Sequence, residues 1–163
     1  MLLIEPLREV HAPAVLRIYE EGMATGVATL ETQVPPWARW DAEHLPHSRW
    51  VAVRGPEVLG WVALSPVSGR CVFGGVAELS LYVGAAHRGQ GLGLALLVRV
   101  IESSEAAGIW TLQATIDRLN TPSLRLHEKA GFRLVGIRER LGQRMGEWRD
   151  IVLLERRSER VGT

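Results

Sequence analysis

With 163 residues, 47% hydrophobic and 23% charged, the chain is sized for one domain with a substantial core. Lys and Arg total 19 against 18 Asp and Glu, a net charge of +1, so nothing in the balance calls for a nucleic-acid or anionic-membrane partner. One cysteine, Cys71, excludes an internal disulfide; no apolar run is long enough to span a membrane and no signal segment opens the chain, so a cytoplasmic protein is expected.

Leu2-Leu3-Ile4 reads as a strand that Pro6 confines to a sheet edge. Val15, Ile18, Tyr19, Gly22 and Met23 recur at helical spacing between about His11 and Thr25. Gly26 to Pro46 is less regular, with a short helix over Trp37–Glu43 started by two prolines. That region either closes over a substrate or packs its tryptophans on the core. Arg49–Arg54 and Val58–Leu64 are β-rich runs joined by Gly55-Pro56-Glu57, a hairpin signal.

The central stretch begins with a strand, Ala77–Val83, in which Glu78, Ser80 and Tyr82 share one face and Ala77, Leu79, Leu81 and Val83 the other. After the turn Arg88-Gly89-Gln90-Gly91-Leu92-Gly93 comes an apolar helix with Leu94, Leu97, Val98 and Ile101 on one face. A strand leading through glycines into a helix N-terminus binds anions, because the first amides lack partners and the helix dipole is positive there. Ile109–Ile116 reads as a strand and Asn120–Ala130 as a helix with Asn120 as cap and Pro122 in its first turn. Two last strands, Phe132–Arg140 and Trp148–Glu155, are joined by a loop holding Gly142 and Gly146, and a frayed polar tail follows. The order predicts one mixed sheet with helices on both faces and a right-handed crossover between parallel central strands.

Three readings of the glycine turn compete. A P-loop requires Gly-Lys-Ser/Thr, which Gly91-Leu92-Gly93-Leu94 lacks, and a dinucleotide fold requires other glycine spacing near an N-terminal strand. The third is R-x-x-G-x-G, filled by Arg88, Gly91 and Gly93, which resembles the acyl-CoA pyrophosphate loop of the GNAT N-acetyltransferase superfamily. Asn120-Thr121-Pro122-Ser123-Leu124-Arg125-Leu126-His127-Glu128-Lys129-Ala130-Gly131-Phe132 is similar to a second signature of that superfamily. Glu31-Thr32, Glu78–Val83 and Gly146-Glu147-Trp148-Arg149-Asp150 bring the resemblance nearest to phosphinothricin acetyltransferases and related amino-acid N-acetyltransferases.

The resemblance implies a GNAT-like α/β (α+β) fold. Its single sheet is mixed and mostly antiparallel, with about seven strands, a splayed central parallel pair and helices on both faces. Residues 1–156 would form one acyl-CoA N-acyltransferase domain, and 157–163 a polar tail. The implied activity is transfer of an acetyl group from acetyl-CoA, with no metal, to the primary amine of a small amino acid or analogue, by direct attack through a tetrahedral intermediate. Alternatives are a protein N-terminal or lysine acetyltransferase and a non-catalytic CoA-binding regulatory module. A homodimer is implied as well.

By the same resemblance, Arg88, Gly89, Gln90, Gly91, Leu92 and Gly93 hold the CoA diphosphate, and a backbone N–H among Leu81, Tyr82 and Val83 faces the thioester. Asn120 contacts pantetheine or caps its helix, and Ser123 touches CoA or the helix backbone. Glu78 is the base, the alternative being an ordinary strand glutamate paired with Arg70. His127, on one helix face with Asn120 and Ser123, acts as acid or base or is structural, bonded to a neighbouring strand. Leu30, Glu31, Arg70 and Phe73 shape the acceptor pocket, Arg70 taking a carboxylate. Gln33–Pro36 and Gly74-Gly75 depart from the herbicide-detoxifying pattern and point away from phosphinothricin itself.

Overall fold

The computed structural model describes residues 1–163. Seven strands run β1 (Leu2–Pro6), β2 (Trp50–Arg54), β3 (Glu57–Pro66), β4 (Val76–Val83), β5 (Thr111–Asp117), β6 (Arg133–Arg144) and β7 (Glu147–Arg157). Four α-helices are α1 (Ala12–Ala24), α2 (Trp37–Glu43), α3 (Leu92–Ala106) and α4 (Thr121–Lys129). The sheet order is β1-β2-β3-β4-β5-β7-β6. β1 is an edge, as Pro6 demands. Only β4 and β5 are parallel, the crossover through α3 preventing a hairpin between them.

That parallel pairing covers only Val76–Glu78 against Thr111–Gln113, and beyond it the strands part. The fork lies at the middle of the sheet, between its two cores. One core packs α3 and the apolar side of α4 against Val62, Leu64, Ala77, Leu79, Leu112 and Ala114. The other packs α1 and Trp40 of α2 against Val51, Val53, Trp61 and Ala63. Strand parity divides the residues between these faces, so Glu78, Ser80 and Tyr82 share the α1 side as their alternation requires.

Two expectations change. The β6–β7 connection is a two-residue turn rather than a loop from Gly142: Met145 (φ 50°) and Gly146 (φ 82°) are both left-handed, the twist that suits a tight hairpin. Gly142 lies within β6, where a Cβ would come 2.6 Å from Leu30 Cδ1. The tail does not fray. Ser158 is buried and donates its hydroxyl to Glu105, while the Arg157 guanidinium holds the carbonyls of Ser158, Val161 and Gly162. Of the two alternatives for the Trp37–Glu43 helix, packing on the core is the one seen: Trp40 is buried, stacked on Trp37 at 4.8 Å and edge-on to Trp61 at 5.2 Å.

No helix is long and apolar enough to cross a membrane. Cys71 is a free, exposed thiol.

Candidate active site

The bend before α3 is built from free donors. Gly91 is the N-cap with φ 80°, Gly89 has φ 77°, and no side chain caps the helix. Its carbonyl accepts from Ala95, yet no N–H from Arg88 to Leu94 donates to any protein acceptor. Seven consecutive amides are therefore free, six of them on residues that line one groove, with the positive end of a 15-residue helix behind them. Leu126 of α4 packs so closely on Gly93 that a Cβ there would lie 2.9 Å from Leu126 Cδ2. Glycine at 93 thus keeps the backbone open to a ligand and lets α4 close one side of the groove.

A groove of about 560 Å³ runs from this bend along Leu81, Tyr82 and Val83 to Asn120 and Ser123. The Arg88 side chain reaches it without an ion pair, and Lys129 and Leu126 of α4 join the lining. Of the sequence-predicted bend residues only the exposed Gln90 stays outside. The register explains why β4 borders an open channel. Gly84 N–H donates to Leu59 at 2.8 Å, so even-numbered residues of β4 bond to β3 and odd-numbered ones turn to β5. Since pairing with β5 stops at Glu78, the N–H groups of Leu81 and Val83 face the fork.

The groove meets a second cavity, about 340 Å³, that contains Glu78, His127, Asn120, Ser123, Leu30 and Glu31. Glu78 is not paired with Arg70. It accepts a hydrogen bond from Gln113 Nε2 at 2.9 Å, across the last rung of the parallel pair. Arg70 and Phe73 lie in an exposed turn beside β4, the guanidinium 5.9 Å above the Phe73 ring, and neither lines the cavity. Within one chain the structure does not bring them to Glu78.

His127 is only 3% exposed. Its Nδ1 donates to the Ser123 carbonyl at 2.7 Å, so the neutral ring carries its lone pair on Nε2. Nε2 has no protein partner. Burial lowers the His127 pKa, against a smaller opposing effect of the Ser123 carbonyl. The partner is thus its own helix rather than a neighbouring strand. Asn120 caps its helix, accepting from Ser123 N–H at 3.4 Å, and also lines both cavities. Stability follows from the same burial. His127 favours the fold fully above its unfolded pKa of about 6.5, and that contribution is lost as pH falls through the depressed folded value. Unfolding free energy from urea titrations should rise between pH 5 and 7, with a shallower rise for His127→Phe; an identical slope would contradict this.

Sequence reasoning missed Tyr19, Ser80 and Asp117 in this cavity, and Gln113, which bonds to Glu78 from outside its lining. Asp117 forms an ion pair with buried Arg149 at 2.8 Å, and Arg149 also donates to Gly26 O at 3.3 Å. Arg144 donates to Met23 O at 2.7 Å. Together with Leu30 against Gly142, these contacts join the segment after α1 to the β6–β7 hairpin over the cavity.

A donor-lined bend feeding a narrow cleft that holds a carboxylate and a neutral imidazole is the equipment of an acyl-CoA-dependent transferase. The chain belongs to the Acetyltransferase (GNAT) family, whose sequence model matches residues 13–132. It is 32% identical over 162 residues to phosphinothricin N-acetyltransferase of Alcaligenes faecalis, covering 94% of this chain and 81% of that protein. It is 36% identical over 102 residues to the L-methionine sulfoximine/L-methionine sulfone acetyltransferase of Pseudomonas aeruginosa, a match spanning 61% of this chain and 58% of that enzyme. The GNAT superfamily phosphinothricin acetyltransferase of Sinorhizobium meliloti, solved with AcCoA, superimposes with a TM-score of 0.89 at 25% identity, over 99% of this chain and 90% of that one. A structure described as ribosomal-protein-alanine N-acetyltransferase from Brucella melitensis gives 0.88 at 28% identity, over 96% and 99%.

Proposed function

We propose that the protein transfers an acetyl group from acetyl-CoA to the amine of a small amino acid or amino-acid analogue. The observation that carries this reading is the row of partner-free amides from Arg88 to Leu94, joined by one groove to Glu78 and His127. The bend fits a diphosphate: its donors are backbone, its glycines leave them bare, and Arg88 adds charge. Acetyl-CoA supplies the activated acyl carbon; every other task falls to the chain.

Leu81 N–H, free of β5, is aimed at the channel as a donor for the oxygen that gains charge during attack. Glu78 takes a proton from the substrate ammonium, one oxygen held by Gln113 and the other free. His127 Nε2 begins as an acceptor, because its ring is neutral. After attack it takes the second proton from the nitrogen, now cationic, and hands it to the departing thiolate. Asn120 and Ser123 hold the channel wall between the two cavities.

The segment closed over the cavity by Arg144, Arg149 and Leu30 supports a small acceptor in preference to a protein terminus. Release of CoA thiol from acetyl-CoA, followed with free amino acids, their sulfone analogues and alanine-terminated peptides, tests this. Turnover confined to the small amines is the expected result; turnover of peptides alone, or of no amine while CoA binds, would contradict it.

A homodimer and a cytoplasmic setting belong to the same proposal. The exposed free thiol of Cys71 suits a reducing compartment. β6 is an edge strand with Leu134, Val135, Ile137 and Leu141 exposed, and Trp148 exposed on neighbouring β7. A long apolar edge of this kind calls for cover, and a second copy of the same strand is self-complementary to it. Sedimentation velocity should give the mass of two chains for the wild type and one for Ile137→Asp. A monomeric wild type would refute the dimer.

A further inference from the structure

A third cavity opens beside the one that holds Glu78. Ser65 stands opposite Glu78 in the β3–β4 register, and side chains so paired leave the same face with Cβ atoms roughly 5 Å apart. On that side lies a chamber of about 270 Å³ walled by Tyr19, Trp40, Trp61 and Tyr82. It shares Tyr19, Glu31, Ser80 and Tyr82 with the main cleft, so an acceptor whose amine faces Glu78 has this chamber within reach of its side chain. None of the steps above uses it.

Apart from the Glu31 carboxylate, the polar groups it offers are uncharged or already joined. The hydroxyls of Ser65 and Ser80 line it, and neither has a partner within the protein. His44 donates Nδ1–H to the Trp40 carbonyl at 2.5 Å, which leaves the Nε2 lone pair available. Burial lowers the His44 pKa, so the ring is neutral. Arg39 and Glu43 hold each other at 2.7 Å. Glu31 stands in solvent.

We propose that this chamber is the side-chain subsite for the acceptor and selects amino acids whose side chain ends in an uncharged hydrogen-bonding head over those that end in an anion. A carboxamide or sulfonyl oxygen accepts from the serine hydroxyls, an amide N–H donates to His44 Nε2, and the aromatic rings take the methylene stem. An anionic head would lose hydration, find the Arg39 guanidinium already held by Glu43, and face the Glu31 carboxylate.

The inference rests on the acetyl-transfer reading, so the experiment separates the two. L-Glutamine and L-glutamate have the same shape and differ in charge; L-methionine sulfone adds a second neutral head, and L-alanine has no head. The wild type should show kcat/KM at least tenfold higher for glutamine and methionine sulfone than for glutamate. Ser65→Leu, which fills the chamber floor, should lower the glutamine-to-alanine ratio of kcat/KM at least tenfold, and His44→Phe should lower it in the same direction. Glutamate turned over as well as glutamine, or a ratio unmoved in both variants, would overturn the subsite while leaving acetyl transfer standing. No turnover of any amine by the wild type would overturn both.

Discussion

Glu78→Gln is expected to lower kcat by about 10²–10⁴, the range a positioned general base contributes. At about 1.4 kcal/mol per decade, that is roughly 3–6 kcal/mol of transition-state stabilisation. The substitution is nearly isosteric, and the new amide oxygen can still accept from Gln113 Nε2, which holds the present carboxylate at 2.9 Å. What it removes is the ability to take a proton from an ammonium. Acetyl-CoA affinity should stay within about twofold, because the seven-amide bend is built by α3 and the turn before it rather than by this end of β4. Thiol release gives kcat and calorimetry gives Kd. An unchanged kcat would remove Glu78 from the mechanism, and a large loss of CoA affinity would mean that it binds cofactor instead.

Gly91→Val is expected to raise the Kd for acetyl-CoA by about 100-fold or more, close to 3 kcal/mol. Gly91 has φ 80°, and no atom lies within 4 Å of where a Cβ would stand. Steric collision is therefore not the cause. The cause is the backbone: a β-branched residue disfavours this left-handed conformation by about 1–3 kcal/mol, and relieving the strain rotates the amides beside it away from the groove. The loop is exposed, so the thermal midpoint should fall by only a few degrees. Calorimetric titration of the folded variant checks the affinity. Wild-type affinity would show that these amides do not hold the diphosphate.

The central unit was legible because two periodicities meet there. Alternation placed Glu78 on the cleft face of β4, and the i, i+3, i+7 spacing placed Asn120, Ser123 and His127 on one face of α4. The glycines marked the bend, since left-handed φ at Gly89 and Gly91 is what glycine permits. Gln113 and Ser65 escaped notice for a physical reason. Each is a neighbour of Glu78 only through strand register, and register depends on how distant segments pair. The Gly142-to-Gly146 segment misled because glycine also serves close packing: Gly142 makes room for Leu30, and the turn needs only Met145 and Gly146. Arg70 was proposed for its charge and its nearness to β4 in sequence, but its turn carries it away from the cavity. The tail looked frayed because its order depends on carbonyls that one arginine gathers.

A crystal structure with acetyl-CoA bound tests the central claim most directly. Diphosphate oxygens should lie within about 3.2 Å of amide nitrogens between Gly89 and Leu94, with the thioester carbon between Leu81 and the Glu78–His127 cavity. A diphosphate held elsewhere, leaving those amides without it, would contradict the account.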